Sequence, residues 1–429
     1  MAQKREKEQA GTNRDVKTNR RLIGTVVPVG ALRGPRSIGV GEFPDLVDFG
    51  RLCVKMGIGL VQLLPVNDTG YQSSPYSALT AFGLNPLYLC IGDLAEAAGF
   101  EPKLEEIGRR FNGEARFPYE ALLRAKMGLL REIYAAGEKE IARKAEPGSP
   151  LGDWIWANPW VKEYAVFRRL KEKKEEKSWR EWDSHQRVTP GDIETLWNDP
   201  RQRSGNLFWA WLQEALDRQF GRAAAGLSEM GIVLEGDLPI LMNEDSCDVW
   251  AHPDNFIMDL SAGAPPDMYS PEGQNWGFPI YNWKAQSNDG YRWWKERLRI
   301  AEKYYQAYRI DHVLGFFRIW ASRRQDNSAV LGRFAPYVPV TKEDLGKLDF
   351  DDSRIRWMSN PHIPTGEVWD SLRADMGGNL RESEAAAAAE QVFQTALDRI
   401  GDEELWLFKE TIRGEKDIEA LGLHPAARA

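Results

Sequence analysis

An apolar, β-branched run ending in Pro and Gly, LIGTVVPVGAL (22–32), leads into FPDLVDFGRLCVKMG (43–57), where Phe43, Leu46, Val47, Phe49, Leu52 and Val54 follow a helical pattern. A second apolar run, GLVQLLPVND (59–68), starts two residues after that segment. Strand, helix and strand joined this tightly describe a βαβ unit, because parallel strands need a crossover and the right-handed one packs the helix back on the sheet. Two more apolar runs, GIVLEGDLPI (231–240) and YQAYRIDHVLGFF (305–317), each follow a helical stretch, FWAWLQEALDRQFGRAAAGLSEM and WWKERLRIAEKY. Four βα-type strands predict an α/β chain built on a parallel sheet.

Between the second and third runs, the stretch around 95–205 reads as an inserted helical subdomain, with RRLKEKKEEK (168–177) as its solvated face. Insertions of this kind sit on the active-site side of barrels. Past residue 320 an extended Pro-containing stretch precedes SEAAAAAEQVFQTALDRIGDEELWLFKETIRG, where Ala and alternating charge favour helix and no fifth to eighth strand is legible. A closed (β/α)₈ TIM-type barrel needs eight strands to remove its edges. The expectation is therefore the first half of such a barrel over 22–320, carrying the helical insertion, then an extended and helical extension over 321–429. Residues 1–21, charged throughout, are expected to form a disordered arm.

With 56 basic and 64 acidic residues the net charge is −8, and no Lys/Arg stripe runs along the chain. Tracking a phosphate backbone needs clustered positive charge, so a nucleic-acid partner is not expected and a neutral or weakly polar ligand fits better. Cys53, Cys90 and Cys247 are odd in number and far apart, which signals neither a disulfide framework nor a thiol metal site and suits a reducing cytoplasm. The N-terminal run lacks the apolar core of a signal peptide, and no stretch reaches membrane-spanning length. Gly39-Val40-Gly41 imitates a dinucleotide fingerprint, but Pro44 stands where the third glycine is needed, and GxxxxGK[ST], HExxH and GxSxG are absent.

Two carboxylates sit at expected strand ends. Asp311, in Tyr308-Arg309-Ile310-Asp311-His312, falls where a parallel barrel gathers its reacting groups, although an Asp there also caps helices. A cation beside a carboxylate keeps it ionised, so Arg309 and His312 strengthen the reading of Asp311 as a nucleophile. Asp237, in Glu235-Gly236-Asp237-Leu238-Pro239, holds the same position one βα unit earlier, with Gly236 allowing the backbone to approach a ligand; a turn-forming Asp before Pro239 is the alternative. Glu244, Asp245 and Asp248 lie close by without a His at ligand spacing, so they read as a loop or helix start rather than a metal site. Trp276, in the Gly/Pro-rich GQNWGFP (273–279), sits near Tyr269, Phe278, Tyr281 and Trp283 and suits the apolar face of a sugar ring, though most of the 17 Trp, 13 Tyr and 17 Phe must be core.

Together GVGEFPDLVDF, LVQLLPVNDTG, SSPYSALTAFGLNPLYL, GDLPI, SCDVWAHPDNF, GAPPDMYSPEGQNWGFPIYNW and RIDHVLGFFRIWA resemble, in order over roughly 22–340, the amylomaltase or 4-α-glucanotransferase family, especially its plant cytosolic-type branch. The resemblance implies a barrel enzyme that moves α-1,4-glucan segments between malto-oligosaccharides through a covalent glycosyl-enzyme with retention, without cofactor or metal. Asp311 then matches the nucleophile, Arg309 and His312 the groups that orient and charge it, and Tyr76, Asp237, Gln274 and Trp276 the sugar-contacting positions.

The family's acid/base Glu belongs to an Glu-Asp-Leu-Gly motif. Glu343-Asp344-Leu345-Gly346 spells it here, but only 32 residues after Asp311 and inside the Pro-containing extension, so Glu343 is read as a chance match. The acid/base residue stays unassigned, and the His-Asp pair whose Asp, by the resemblance, stabilises the transition state has no candidate after Glu343. The expected protein is a truncated or split 4-α-glucanotransferase that joins a complementary C-terminal half-barrel chain. The alternative is a non-catalytic glucan-binding or regulatory module.

Overall fold

The computed structural model describes residues 21–116, 118–337, 340–359, 362–374 and 382–423. The expected charged arm falls almost wholly outside the described residues. In chain order the strands are β1 (Gly24–Val27), β2 (Leu60–Leu63), β3 (Val233–Leu238), β4 (Phe256–Ala264), β5 (Gln274–Tyr281), β6 (Ala307–Ile310), β7 (Ile319–Arg323), β8 (Arg333–Ala335), β9 (Ile363–Pro364), β10 (Leu397–Arg399) and β11 (Leu405–Phe408). The chain divides into two compact units, one formed by residues up to Ile257 plus Tyr281–Val313, the other by Met258–Ile280 plus the residues from Leu314 onward.

The first unit contains the parallel sheet, in the order β1-β2-β3-β6, so the four expected strands are the four that pair. The helix Asp45–Met56 follows Pro44, carries Asp45 and Asp48 in its first turn and buries Leu46, Gly50 and Cys53. It stops at Gly57, whose φ of 75° only glycine adopts freely; the Gly57 and Ile58 amides close back on Val54 and Cys53 and turn the chain into β2. Alternation then sorts the strands: Val61, Leu63, Leu234 and Leu238 are buried, while Val26 on the opposite face is exposed.

Behind the sheet runs the 27-residue helix Arg203–Glu229, buried along much of its length. Its Phe220 stacks between Phe43 and Tyr304, each ring centroid 4.4 Å away. A Cβ on Gly236 would come within 2.6 Å of the Tyr305 ring. This corrects the expectation for Gly236, which serves packing of Tyr305 against β3 rather than approach of a ligand. Further helices, including Tyr119–Lys144 and Trp160–Lys173, build the material between β2 and β3. Fully buried Lys126 reaches Glu42 at 2.6 Å and the carbonyls of Leu87 and Leu89, which satisfies its charge inside the core.

The second unit holds two sheets, β5-β4-β7-β8 and β10-β11-β9. The latter packs on a core of Val368, Leu372, Ala388, Ala389, Leu397 and Ile412. The stretch past 320 therefore contains short strands as well as helices. They pair antiparallel, β7 with β4 and β8, and β11 with β9 and β10, in sheets separate from the parallel one. Trp276 lies on β5 and not in a loop as expected. Among the described residues no helix is long and apolar enough to cross a membrane.

Candidate active site

The register of β3 on β6 creates the site. Asp237 pairs with Arg309 and Glu235 with Ala307, so Glu235, Asp237 and Arg309 share one face, and Asp311, two residues past Arg309, follows at the strand end. The Arg309 guanidinium lies between two carboxylates. Nη1 donates to both oxygens of Asp237, at 2.7 and 2.6 Å, and Nη2 donates to Oδ1 of Asp311 at 3.0 Å. The Asp237 side chain is fully buried, whereas those of Arg309 and Asp311 are 42% and 38% exposed. One carboxylate is thus a buried anchor and the other an accessible group oriented by the shared cation. The hydrogen bond to Asp237, together with the charges of both carboxylates, pushes Arg309 further above its ordinary value and keeps it charged.

Tyr76 completes the cluster by donating its hydroxyl to Oδ2 of Asp237 at 2.8 Å. Burial and the adjoining carboxylate raise its pKa above the ordinary tyrosine value. Tyr76 arrives on a loop closed at its neck by the Asn67–Leu84 bridge and the Asp68 amide on the Gly83 carbonyl. Gln213 holds the outgoing side of that neck, donating to the Leu84 carbonyl and accepting from the Leu84 amide, both at 2.8 Å.

His312 follows Asp311 in the left-handed region, with φ 49°, so the chain turns sharply as it leaves β6. Glu235, not singled out in the sequence, sits on the site face with its pKa raised by burial and by Asp237. Its position two residues before Asp237 in a strand was the available signal. Glu244, Asp245 and Asp248 hold the structure rather than a metal: Glu244 pairs with Arg180, Asp245 with Lys171, and Asp248 lies in the first turn of the helix Cys247–Ala251, which Ser246 caps. Among the described residues no group of three or more His, Cys, Asp or Glu could hold a metal ion.

The first unit therefore brings together Tyr76, Asp237, Arg309 and Asp311. Gln274 and Trp276 belong to the second unit, where both ride on β5 and the indole Nε1 donates to Gln274 Oε1 at 2.9 Å. Glu343, also in that unit, lies in the short helix Lys342–Gly346, capped by Thr341; its side chain is 84% exposed and 3.4 Å from Lys347.

The carboxylate–guanidinium–carboxylate cluster lies at the C-terminal ends of parallel strands, where βα enzymes gather their reacting groups. The family model for glycoside hydrolase family 77, 4-alpha-glucanotransferase, matches residues 27–356, and the chain belongs to that family. It is 33% identical over 412 residues to the rice 4-alpha-glucanotransferase DPE2, covering 91% of this chain and 43% of the relative. It is 34% identical to the 4-alpha-glucanotransferase of Chlamydia pneumoniae, covering 74% of this chain and 60% of that one. The chain thus spans about half the length of these relatives. Among solved structures, amylomaltase from Streptococcus agalactiae in complex with acarbose aligns with TM-score 0.64 at 19% identity, over 93% of this chain and 96% of that one. Amylomaltase from Corynebacterium glutamicum aligns with TM-score 0.58 at 18% identity, over 87% and 60%. These two share the fold.

Proposed function

We propose that this chain carries the nucleophile side of an α-1,4-glucan transferase that works with retention, Asp311 being the nucleophile. The observation that carries the reading is Arg309 held between Asp237 and Asp311, because the buried carboxylate fixes the cation and the cation orients the accessible one. In the first step an Asp311 oxygen bonds to the anomeric carbon as the glycosidic C–O bond breaks, and the leaving oxygen takes a proton from an acid. In the second, an acceptor hydroxyl attacks the anomeric carbon, the bond to Asp311 breaks and frees its carboxylate, and the hydroxyl's proton passes to the conjugate base of that same acid. His312 is assigned to orienting Asp311, and Tyr76, Asp237, Gln274 and Trp276 to contacting sugar. Relatives named 4-alpha-glucanotransferase and the acarbose complex of an amylomaltase favour a malto-oligosaccharide or other α-1,4-glucan as substrate.

The reading includes a half-barrel over 22–320 with a helical insertion around 95–205 and an extension over 321–429, completed by a polypeptide that supplies the remaining strands and the acid. Two observations support it: among the described residues β1 and β6 each have one neighbour in the parallel sheet, and Ile23 and Val26 of the β1 segment are exposed. A cytoplasmic site of action agrees with three unpaired, buried cysteines.

One observation favours a second reading, a glucan-binding or regulatory module: Glu343, which spells the acid motif, is exposed and engaged with Lys347. Maltotriose disproportionation by the chain alone and with a polypeptide carrying the remaining strands separates the two. Transfer products of retained anomeric configuration in the complemented sample support the transferase. Sugar binding without products in both samples leaves the module.

A further inference from the structure

We infer that Asp248 is a positioning residue for the site, fixing the loop that delivers the Tyr76 hydroxyl to Asp237. Its carboxylate is 2% exposed and has one partner on each oxygen: the Ala81 amide donates to Oδ2 and the Trp293 indole to Oδ1, both at 2.8 Å. The adjoining Cys247 amide donates to the Leu79 carbonyl at 2.7 Å, and the Leu79 amide donates to the Asp68 carbonyl at 2.7 Å. The base of the loop, 79–81, is thereby seated on the first turn of the helix Cys247–Ala251.

Asp237 and Asp248 lie eleven residues apart on one connection. The first receives the side chain at the loop's tip; the second receives the backbone at its base. The helix Arg292–Ala301 pins that connection from behind, since Trp293 and Arg297, four apart on one helical face, reach Asp248 Oδ1 and the Pro239 carbonyl, the latter at 2.6 Å. That helix leads into β6 and thus into Arg309 and Asp311. Asp248 therefore ties together the three segments that supply the cluster. A buried carboxylate is retained only where its hydrogen bonds are complete. An Asn in its place puts an N–H against one of the two donors, so either the loop or the helix loses its tie.

The test reads Tyr76 directly by carbon-13 NMR of tyrosine labelled at Cζ, the resonance identified by its loss in Tyr76→Phe. In Asp248→Asn the Tyr76 resonance moves and its titration falls toward that of an ordinary tyrosine; Trp293→Phe, which removes the Oδ1 donor and trims the ring packed on Phe82, gives a change of the same sign. Ile141→Ala, a truncation of a fully buried side chain near the far end of the helix Tyr119–Lys144, lowers stability without moving the resonance. A Tyr76 signal unchanged in folded Asp248→Asn overturns the assignment, and if that variant does not fold, an unchanged signal in Trp293→Phe does so. A shift in Ile141→Ala as large as that in Asp248→Asn overturns it too, because the signal would then track stability. The consequence for catalysis rests on the transferase reading, but the NMR result does not, so the two can fail separately.

Discussion

Asp237 and Arg309 face one another as register partners on adjacent parallel strands, with both carboxylate oxygens within 2.7 Å of one guanidinium nitrogen. The pair is asymmetric: the acid is fully buried, the base 42% exposed. Removing the base strands a charge inside the sheet, while removing the acid leaves a cation that water and Asp311 still solvate. The first residue of the pair is therefore costlier to orphan than the second.

A double-mutant cycle follows from that asymmetry. Arg309→Ala should destabilise more than Asp237→Asn, and the two changes together should cost less than their sum. The coupling should be about 1–2 kcal/mol, below the roughly 3–5 kcal/mol of a fully buried pair because Arg309 is half in solvent. Urea midpoints of the four proteins measure it. Strict additivity would remove the pair from any role in holding β3 and β6 in place.

Asp311→Asn keeps shape and volume but deletes the charge that attacks carbon. Turnover in the complemented enzyme should fall on the order of 10⁴-fold or more, with sugar affinity preserved. Mass spectrometry of peptides trapped with a slow glycosyl donor should find the adduct on Asp311 in the parent. An Asp311→Asn enzyme that still transfers glucan would transfer the nucleophile assignment elsewhere.

Trp276 contributes an aromatic face on β5, its indole N–H engaged by Gln274. Covering that indole with the apolar face of a sugar removes on the order of 40 Å² of apolar surface from water, about 1 kcal/mol, so Trp276→Ala should weaken maltotetraose binding by roughly 3- to 10-fold in calorimetry. Equal affinity in parent and variant would count against the platform.

The parallel strands were legible because each is a dense apolar run beside a helical pattern; burial on the helix-packed face demands that pattern whatever lies opposite. Asp237 and Asp311 could be located because a strand end is a position in sequence. Their joint hold on Arg309 could not, since it depends on β3 and β6 aligning Asp237 with residue 309 across 72 positions. The strand β5, QNWGFPIY, carries Gly and Pro and no clean alternation, so it resembled a loop, and the strand β4, FIMDLSAGA, gave no strand signal. β9 has two residues, too few for any periodic signal. Gly236 could be flagged as special, but only the Tyr305 ring behind it tells why.

His252 gives stability a pH dependence. Burial opposes its charge, yet the hydrogen bond to Glu163 at 2.9 Å and the charges of Glu163 and Asp248 outweigh burial and Arg292, leaving the pKa above the ordinary value. A histidine raised in the folded state contributes stability that is complete below its unfolded pKa and is lost as pH rises through the folded one. The stability gap between parent and His252→Gln should therefore be wider at about pH 6 than at about pH 8. Thermal or urea unfolding at the two pH values measures it, and a constant gap would show that the imidazole acts only as a neutral hydrogen-bonding group.

The last prediction joins the open sheet to the unassigned acid. If β1 and β6 end a half-barrel, the isolated chain should be marginally stable or aggregation-prone, and a polypeptide bearing the remaining strands should raise its melting temperature in a concentration-dependent way. Without a group to protonate the leaving oxygen, the chain alone should also be slower than the complemented enzyme by on the order of 10²–10⁴-fold. Glu343 should not supply that proton. It is exposed on a short capped helix and paired with Lys347, outside the unit that gathers Asp237, Arg309 and Asp311. Glu343→Gln should then leave transfer by the complemented enzyme unchanged. Should the purified chain prove monomeric, melt cooperatively and disproportionate maltotriose at ordinary enzyme rates, the half-barrel reading falls; loss of that activity in Glu343→Gln would make Glu343 the acid.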